Sequence, residues 1–218
     1  KETECTMKIK AVIFDLDGVL VFTDQYHYKA WKMIADEKGI FFDEKINDRL
    51  RGVSRMDSLE IILENYHGIT FSLEEKKQMA ERKNQIYREL LKKMSPDDVT
   101  ENVRNTLKEL RARGYKIALG SSSKNARLIL EKTKLTDAFD AIADGNVISK
   151  SKPDPEVFLK AAEMLQIVPE ECLVVEDADA GIQAAKAGNM YTAAIGSITG
   201  KIDADYYLQE LGDLLHIL

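Results

Sequence analysis

The amino-acid sequence predicts an α/β protein, in which a doubly wound parallel sheet carries helices on both faces and is interrupted by an inserted helical domain. Short, continuously apolar segments alternate with segments of helical periodicity over most of the chain, which is typical of parallel sheets covered by helices. Residues 24–94 instead show helical patterns and no convincing strand. The sequence therefore predicts a Rossmann-like core with a helical insertion.

Five apolar segments are the candidate strands of the core. Residues 11–14 form the first, and the apolar run stops abruptly at Asp15. The others are residues 117–119, 139–142, 173–175 and 192–195. Continuous apolar runs of this length predict strands that are buried on both faces. Helices are predicted between them over residues 103–113, 125–132, 155–165 and 181–187.

The predicted insertion divides the chain into two domains. Residues 7–22 and 95–218 are predicted to form the α/β core, and residues 23–94 the helical domain. Residues 1–6 precede the first methionine and are interpreted as a tail.

Within the insertion, helices are predicted from the spacing of apolar residues and from their end signals. Residues 26–38 and 55–66 have helical periodicity. A third helix is predicted to begin after Ser72, because Ser-Leu-Glu-Glu has the order of a capping box. The Ser-Pro pair at residues 95–96 is expected to end it.

Composition limits the possible partners. The chain has 218 residues and a formal net charge of −6, from 31 Lys and Arg against 37 Asp and Glu. This acidic balance argues against a nucleic-acid partner and mildly against anionic substrates. Hydrophobic residues make up 44%, which excludes a disordered chain. No apolar run is long enough for a membrane span. Cys5 and Cys172 lack metal-ligand spacing, so we expect a reduced, cytoplasmic protein.

The strongest local signal is Phe-Asp-Leu-Asp-Gly-Val at residues 14–19, which places two carboxylates at the end of the first predicted strand. Doubly wound sheets bind ligands at the carboxyl ends of their strands. A carboxylate there can act as a nucleophile and form an aspartyl phosphate, while a neighbouring group transfers protons. Asp15 and Asp17 are therefore candidate catalytic residues. A strand followed by a plain Asp-Gly turn is the alternative.

Glu176 and Asp177 form a second acidic pair directly after an apolar segment. Adjacent carboxylates repel one another unless water or a cation lies between them, and Mg²⁺ prefers such oxygen ligands. If the two strands are neighbours, Asp15, Asp17 and Asp177 can converge on one ion. An acidic helix N-terminus is the alternative, because a helix is predicted to follow.

Two further segments have the composition of phosphate-binding groups. Gly-Ser-Ser-Ser-Lys-Asn at residues 120–125 lies between a strand and a helix, where hydroxyls and backbone N–H groups can hold an anion. Lys152, in Ser-Lys-Pro, lies in a predicted turn and can neutralise a phosphate. A serine N-cap and a solvated lysine are the alternatives.

The order of these four motifs resembles the motif series of the haloacid dehalogenase superfamily, and the helical insertion is similar to that superfamily's mobile cap domain. The resemblance extends from about residue 8 onward and is greatest to the superfamily's hexose-phosphate mutases. It includes three segments of the insertion. They are Thr-Asp-Gln-Tyr-His at residues 23–27 with Trp31, Arg-Gly-Val-Ser-Arg at residues 51–55, and Arg-Lys-Asn at residues 82–84.

The resemblance implies catalytic and metal-binding roles. Asp15 would be the nucleophile and a Mg²⁺ ligand. Asp17 would be the general acid/base, with its backbone carbonyl on the metal. Glu176 and Asp177 would complete the protein ligands of the ion.

The resemblance also implies contacts with the substrate. Ser121 and Lys152 would hold the phosphoryl group that is transferred. Arg55, Ser123 and Asn125 would bind the sugar's other phosphate. The remaining implied contacts with phosphate, sugar or hinge are Thr23, His27, Trp31, Arg51, Lys83 and Ser122.

Three positions depart from the pattern of those mutases. Phe22 stands where an acidic residue is common, Ala178 where Ser is usual, and Arg51 where Lys is frequent. None of the three removes a catalytic group. Surface ion pairs are the alternative for Arg51 and Arg55, and the acidic residues nearby in sequence are Asp48, Asp57 and Glu60.

The resemblance implies a Mg²⁺-dependent enzyme that interconverts β-D-glucose 1-phosphate and glucose 6-phosphate through an aspartyl phosphate and glucose 1,6-bisphosphate. A sugar-phosphate phosphatase of the same superfamily stays open, because the core motifs serve both reactions. A phosphoacceptor signalling module is a third hypothesis, but such a switch does not need the acid/base that Asp17 supplies. We expect a monomer that binds a small sugar phosphate and neither nucleic acid nor membrane.

Overall fold

The computed structural model describes residues 9–218. The predicted tail, the start of the predicted core at residue 7, and Cys5 lie outside the described residues. Within them the strands are β1 (Ala11–Phe14), β2 (Lys116–Gly120), β3 (Ala141–Ala143), β4 (Cys172–Glu176), β5 (Tyr191–Ile195) and β6 (Tyr206–Leu208). They form one sheet in the order β3-β2-β1-β4-β5-β6, with every neighbouring pair parallel.

Helices follow or precede each strand of this sheet. In the described part of the chain the α-helices are α1 (Asp24–Lys38), α2 (Glu44–Asp48), α3 (Arg55–Leu63), α4 (Leu73–Leu91), α5 (Glu101–Ala112), α6 (Ala126–Thr133), α7 (Glu156–Leu165), α8 (Asp179–Ala187) and α9 (Leu214–Ile217). The predicted fold class, an α/β core with a helical insertion, is confirmed.

The central strand β1 is covered by helices on both faces. Val12 and Phe14 belong to a hydrophobic cluster that includes residues of α5 and α6. Ala11 and Ile13 belong to a second cluster with residues of α7 and α8. Because successive side chains of a strand point to opposite faces, a strand between two helical layers has to be apolar throughout. This is why the apolar run at residues 11–14 predicts the strand correctly.

The insertion, helices α1 to α4, has a hydrophobic cluster of its own. Trp31, Leu59 and Met79 pack there, from α1, α3 and α4 respectively. The far end of α4 instead packs into the core, where Tyr87 and Leu91 are buried with the residues of α5 and α6. The long helix α4 therefore connects the two hydrophobic clusters.

The predicted start of α4 is confirmed by its capping contacts. The Ser72 hydroxyl accepts a hydrogen bond from the backbone N–H of Glu75 at 3.2 Å, and the Glu75 carboxylate accepts one from the backbone N–H of Ser72 at 2.7 Å. Both contacts satisfy N–H groups that the first turn of a helix leaves without a partner.

Several boundaries differ from the sequence predictions. Strand β6 was not predicted, because Tyr206–Leu208 is short and lies outside any apolar run. Helix α2 was also missed, since its 5 residues are too few to show a helical period. Strand β3 begins at Ala141 rather than at residue 139, and α3 ends at Leu63 rather than at residue 66. The division into two domains stays a prediction.

None of the helices in residues 9–218 combines the length and the apolar character that a membrane span requires.

Because the insertion has a hydrophobic cluster of its own, we expect the insertion to unfold separately from the core. Leu59 is fully buried there, so Leu59→Ala should destabilise the insertion by about 2–5 kcal/mol. Trp31 is the chain's single tryptophan and is buried in the same cluster. Its fluorescence should therefore show a transition at lower denaturant concentration, while far-UV circular dichroism retains a second transition near the wild-type midpoint.

Leu110→Ala is the matched control, because Leu110 is fully buried in the core cluster. It should move the circular dichroism transition further than the Trp31 transition. Coincident transitions of both signals in both variants would contradict a separate insertion domain.

Candidate active site

The predicted motifs meet at one edge of the sheet because β1 lies between β2 and β4. Asp15 follows β1, Ser121 follows β2, and Glu176 is the last residue of β4. The chain extends the sheet from β1 to one side through β2 and β3, and then returns to the other side with β4. This reversal beside β1 is the place where doubly wound sheets bind ligands.

Three carboxylates lie together at this edge. Asp15, Glu176 and Asp177 each have an oxygen within 4.8 Å of those of the other two. Two glycines make room for them. A Cβ atom at Gly18, whose φ is +84°, would lie 1.9 Å from Oδ2 of Asp177, and one at Gly181 would lie 2.0 Å from Oε1 of Glu176. The sequence thus leaves space beside two carboxylates that any other residue would fill.

Lys152 is the cation at the centre of this cluster. Its Nζ lies 2.7 Å from Oδ1 of Asp15 and 2.6 Å from Oε1 of Glu176, and 4.6 Å from the centre of the Phe158 ring. Burial by itself lowers the pKa of a lysine, but the charges of the two carboxylates outweigh it and raise the pKa of Lys152. Lys152 therefore stays protonated and holds both carboxylates in place.

The remaining carboxylates keep protons more readily than free ones do. Burial, followed by the negative charges of Asp15, Glu176 and Asp17, raises the pKa of Asp177 to about 8. Burial also raises the pKa of Glu176, although its Oε2 accepts hydrogen bonds from the backbone N–H groups of Asp177 and Ala178 at 2.9 and 3.0 Å. The single positive charge of Lys152 does not balance the negative charges of these carboxylates.

These residues fit a divalent metal ion. Closely spaced carboxylate oxygens suit hard cations such as Mg²⁺, and the raised pKa of Asp177 indicates a demand for more positive charge. Asp15, Glu176 and Asp177 would hold the ion. The side chain of Asp17 is not part of this group of three, and the predicted contact of its backbone carbonyl stays a prediction.

Asp17 lies beside the cluster and has a different environment. The Thr23 hydroxyl donates a hydrogen bond to its Oδ1. Burial raises the pKa of Asp17 to about 7, with a smaller contribution from the charge of Asp15, against the lowering effect of the Thr23 hydrogen bond. A carboxyl group with a pKa near neutrality can both give and take a proton. Asp17 is thus suited to acid/base chemistry, and Thr23 is suited to orient it.

The serine-rich loop after β2 is held by its own hydrogen bonds. The Ser121 hydroxyl accepts from the backbone N–H of Ser123 at 3.2 Å, and the Ser123 hydroxyl accepts from the backbone N–H of Asn125 at 3.1 Å. Asn125 is the N-cap residue of α6. The alternative of a plain serine N-cap is therefore wrong, and the loop's hydroxyls lie beside a helix N-terminus that can hold an anion.

On the opposite side, the insertion contributes a buried lysine. Nζ of Lys83 lies 2.8 Å from Nδ1 of His27, and over the rings of Trp31 and Tyr87. Burial and the charge of Arg55 lower the pKa of Lys83 to about 7. Burial, with the charges of Lys83 and Arg55, also lowers the pKa of His27 well below its ordinary range. The imidazole of His27 is therefore neutral, and in the tautomer with its proton on Nε2 the Nδ1 atom accepts a hydrogen bond from Lys83.

The two arginines of the 51–55 segment are paired with acids. Nη2 of Arg51 lies 2.5 Å from Oδ2 of Asp24 and 3.8 Å from Oδ1 of Asp48. Nη1 of Arg55 lies 3.6 Å from Oε2 of Glu81. The pairing with Asp48 was open from the sequence, whereas Asp24 and Glu81 are distant along the chain, and no local pattern connects them to the two arginines.

A cavity of about 690 Å³ separates the sheet edge from the insertion. The sequence-predicted residues that line it are Asp15, Asp17, His27, Trp31, Arg51, Arg55, Lys83, Ser121, Ser122, Ser123, Asn125, Lys152, Glu176 and Asp177. Thr23 is not in the lining and acts on the site through Asp17. Among the polar and aromatic lining residues that sequence reasoning did not assign are Asp24, Glu81, Asn84, Tyr87 and Lys124. Asp24, Asn84 and Lys124 lie inside the quoted motifs, so the motifs contained the signal for them.

The lowered pKa of Lys83 predicts how stability depends on pH. The unfolded chain holds a proton on Lys83 up to about pH 10.5, and the folded chain only up to about pH 7. Between these values unfolding takes up a proton, so the free energy of unfolding should rise with pH. Relative to Lys83→Met, wild type should gain on the order of a few kcal/mol over this window, measured by urea denaturation at each pH.

Lys77→Met is the control, since Lys77 is an exposed lysine on the same helix α4. Its unfolding free energy should keep the pH dependence of wild type. If the free energy of unfolding changes equally with pH in Lys83→Met and Lys77→Met, the lowered pKa of Lys83 is wrong.

Comparisons with known proteins agree with this arrangement. Residues 9–189 match the family model of haloacid dehalogenase-like hydrolases. The chain is 42% identical to the β-phosphoglucomutase of Bacillus subtilis (strain 168), covering 94% of this chain and 92% of that protein. It is 34% identical to a phosphorylated carbohydrates phosphatase of Thermotoga maritima, covering 84% and 82% of the two chains.

A solved structure has the same fold. The crystal structure of β-phosphoglucomutase from Clostridium difficile superposes with a TM-score of 0.87 at 40% identity, covering 94% of this chain and 93% of that one. The predicted superfamily, the resemblance to its hexose-phosphate mutases and the prediction of an enzyme are confirmed. Because the family model matches most of the chain and a curated relative is 42% identical over 94% of it, the chain belongs to the haloacid dehalogenase-like hydrolases.

Proposed function

We propose that the chain is a β-phosphoglucomutase, which interconverts β-D-glucose 1-phosphate and glucose 6-phosphate through an aspartyl phosphate on Asp15 and glucose 1,6-bisphosphate. The observation that carries the proposal is that one cavity holds two separate groups of cations. Lys152 lies at the sheet edge beside Asp15, while Arg55 and Lys83 come from the insertion. A hexose with a phosphate at each end matches this arrangement.

In the first half of the reaction, a carboxylate oxygen of Asp15 attacks the phosphorus of the bisphosphate. The bond between phosphorus and the sugar oxygen breaks, and Asp17 gives its proton to that oxygen. Lys152 offsets negative charge where the phosphoryl group arrives, because its Nζ lies 2.7 Å from Oδ1 of Asp15. The pKa of Asp17, about 7, leaves the proton available at neutral pH.

In the second half, the glucose 6-phosphate formed in the first half leaves, and a molecule of β-glucose 1-phosphate presents its 6-hydroxyl. Asp17, now ionised, takes the proton of this hydroxyl as its oxygen attacks the phosphorus on Asp15. The bond to the Asp15 oxygen breaks and the carboxylate is restored. One group thus serves as acid and then as base, which is efficient only when its pKa lies near the working pH.

Mg²⁺ is proposed as the cofactor, held by Asp15, Glu176 and Asp177. When bound, it would supply positive charge where the phosphoryl group is transferred. The chain's own contribution is to bring three acids together at the ends of β1 and β4 and to leave space beside them at two glycines.

The insertion is proposed to exclude water while the aspartyl phosphate exists. A glycine in the 51–55 segment approaches the core closely, since a Cβ atom at Gly52 would lie 3.6 Å from Cβ of Ala178. Ala178 directly follows Asp177, so the insertion covers the end of β4. A site shielded in this way favours attack by a bound hydroxyl over attack by water.

A sugar-phosphate phosphatase is the second candidate. The 34% identity to a phosphorylated carbohydrates phosphatase favours it, and the residues of the sheet edge serve either reaction. Whether the enzyme is a mutase or a phosphatase depends on the insertion, because its cations can retain a bisphosphate long enough for the two phosphates to exchange places. The signalling-module hypothesis is disfavoured, because the family is one of enzymes.

The proposal predicts that purified protein with Mg²⁺, β-glucose 1-phosphate and a trace of glucose 1,6-bisphosphate makes glucose 6-phosphate with little release of inorganic phosphate. A coupled glucose 6-phosphate assay and a phosphate-release assay, run side by side, measure this. Arg55→Ala should lower the mutase kcat/KM roughly ten- to hundredfold, because a charged hydrogen bond to phosphate is lost.

Arg49→Ala is the matched control, since Arg49 pairs with Glu64 on the surface of the insertion at 2.7 Å. It should leave the mutase rate near wild type. Stoichiometric release of phosphate without glucose 6-phosphate would support the phosphatase and contradict the mutase. Full activity of Asp15→Asn would contradict both proposals.

The proposed metal site predicts stabilisation by Mg²⁺ that depends on pH. At a concentration a hundred times its Kd, the ion should stabilise the fold by about 2.7 kcal/mol. Below about pH 8 the ion has to displace the proton of Asp177. The rise in melting temperature on adding Mg²⁺ should therefore be larger at about pH 8.5 than at about pH 6.5.

Asp177→Asn should remove this rise, whereas Asp179→Asn should keep it. Asp179 is an exposed acid two positions further along the chain whose carboxylate accepts from Gln183. An equal rise in both variants, measured by differential scanning calorimetry, would show that Asp177 is not a ligand.

A further inference from the structure

Helix α4 contacts the loop after β2 through the amide of Asn125. Nη1 of Arg88 donates to Oδ1 of Asn125 at 3.0 Å. Nδ2 of Asn125 donates to Oδ1 of Asn84 at 2.9 Å. Asn84 and Arg88 lie one turn apart on α4, so both reach the same partner from one face of the helix. Two side chains of the insertion therefore hold one side chain of the core.

Of these two contacts, only the one with Arg88 decides which way the Asn125 amide faces. An amide such as that of Asn84 can donate or accept, so it would bind either end of Asn125. A guanidinium group only donates, so the carbonyl oxygen of Asn125 has to face Arg88. Without Arg88 the amide could rotate by half a turn and keep its bond to Asn84.

This orientation matters because Asn125 lines the cavity and Arg88 does not. Asn125 is buried and occupies the N-cap position of α6, beside Ser123 and Lys124. Nδ2 has two N–H groups, and within residues 9–218 the acceptor found for it is Asn84. The second N–H remains for a ligand. In the reversed orientation, a carbonyl oxygen would replace this donor beside an incoming anion.

We propose that Arg88 is a positioning residue, which fixes the Asn125 amide as a hydrogen-bond donor to the substrate phosphate that is not being transferred. The inference rests on the proposed function, since it needs a substrate with a second phosphate. Arg88 acts through Asn125 and does not touch the ligand.

Isothermal titration of glucose 1,6-bisphosphate into Asp15→Asn protein tests the proposal, because this background binds without turnover. Adding Arg88→Met should weaken binding about fivefold to twentyfold, the effect of one lost or reversed hydrogen bond. Arg88→Lys keeps a donor-only group and should recover most of the affinity. In the otherwise native enzyme, Arg88→Met should raise KM more than it lowers kcat.

Arg82→Met is the matched control, since Arg82 lies on the same helix and pairs with Glu37 at the surface. It should bind the bisphosphate as tightly as the Asp15→Asn parent. Circular dichroism melting of each variant reports whether the fold is retained.

A double-mutant cycle separates positioning from a merely structural contact. If Arg88 acts through Asn125, Arg88→Met should have little further effect on affinity once Asn125→Ala is present. Additive losses, or full affinity in Arg88→Met alone, would overturn the inference and leave the proposed function standing. If the Asp15→Asn parent itself does not bind the bisphosphate, the proposed function and the inference both fall.

Discussion

The two ion pairs of Lys152 are the interaction on which the site depends. They join the carboxyl ends of β1 and β4 to the segment before α7, and the side chains involved are almost wholly buried. Removing one partner of a buried ion pair leaves an uncompensated charge, which costs far more than the loss of a surface pair. The proposed nucleophile Asp15, the proposed metal ligand Glu176 and the cation between them are thus held by one network, so their geometry is fixed before substrate arrives.

The electrostatics of the cavity follow from position rather than from net charge. A chain with a net charge of −6 has little general attraction for anions. The acids are concentrated at the sheet edge, where a lysine and a proposed divalent ion reverse the local field. Across the cavity, Lys83 is buried and carries a pKa of about 7. A phosphate beside it would favour the charged form, so anion binding and protonation of Lys83 are coupled.

Local patterns in the sequence predicted what local physics determines. Buried parallel strands have to be apolar throughout, so residues 11–14 were recognisable, and an acidic pair at a strand end marked Asp15 and Glu176 as site residues. The short strand β6 has no such apolar pattern. It is stabilised by pairing with one edge of β5, and the local sequence does not show that pairing. The distant partners of Arg51 and Arg55, which are Asp24 and Glu81, were also beyond reach, since an ion pair between distant residues depends on how the helices pack.

In the proposed reaction, the difference between a mutase and a phosphatase depends on α4, because this helix belongs to both parts of the molecule. Its first half packs in the insertion's cluster, and its last turns pack in the core. Between them, Lys83, Asn84, Tyr87 and Arg88 contact His27 and Asn125 from neighbouring positions of one rigid rod. A bisphosphate that turns around has to leave the sheet edge while it stays bound at its other end. Because α4 contacts both His27 and the loop after β2, we expect it to hold that end of the proposed bisphosphate without releasing the insertion.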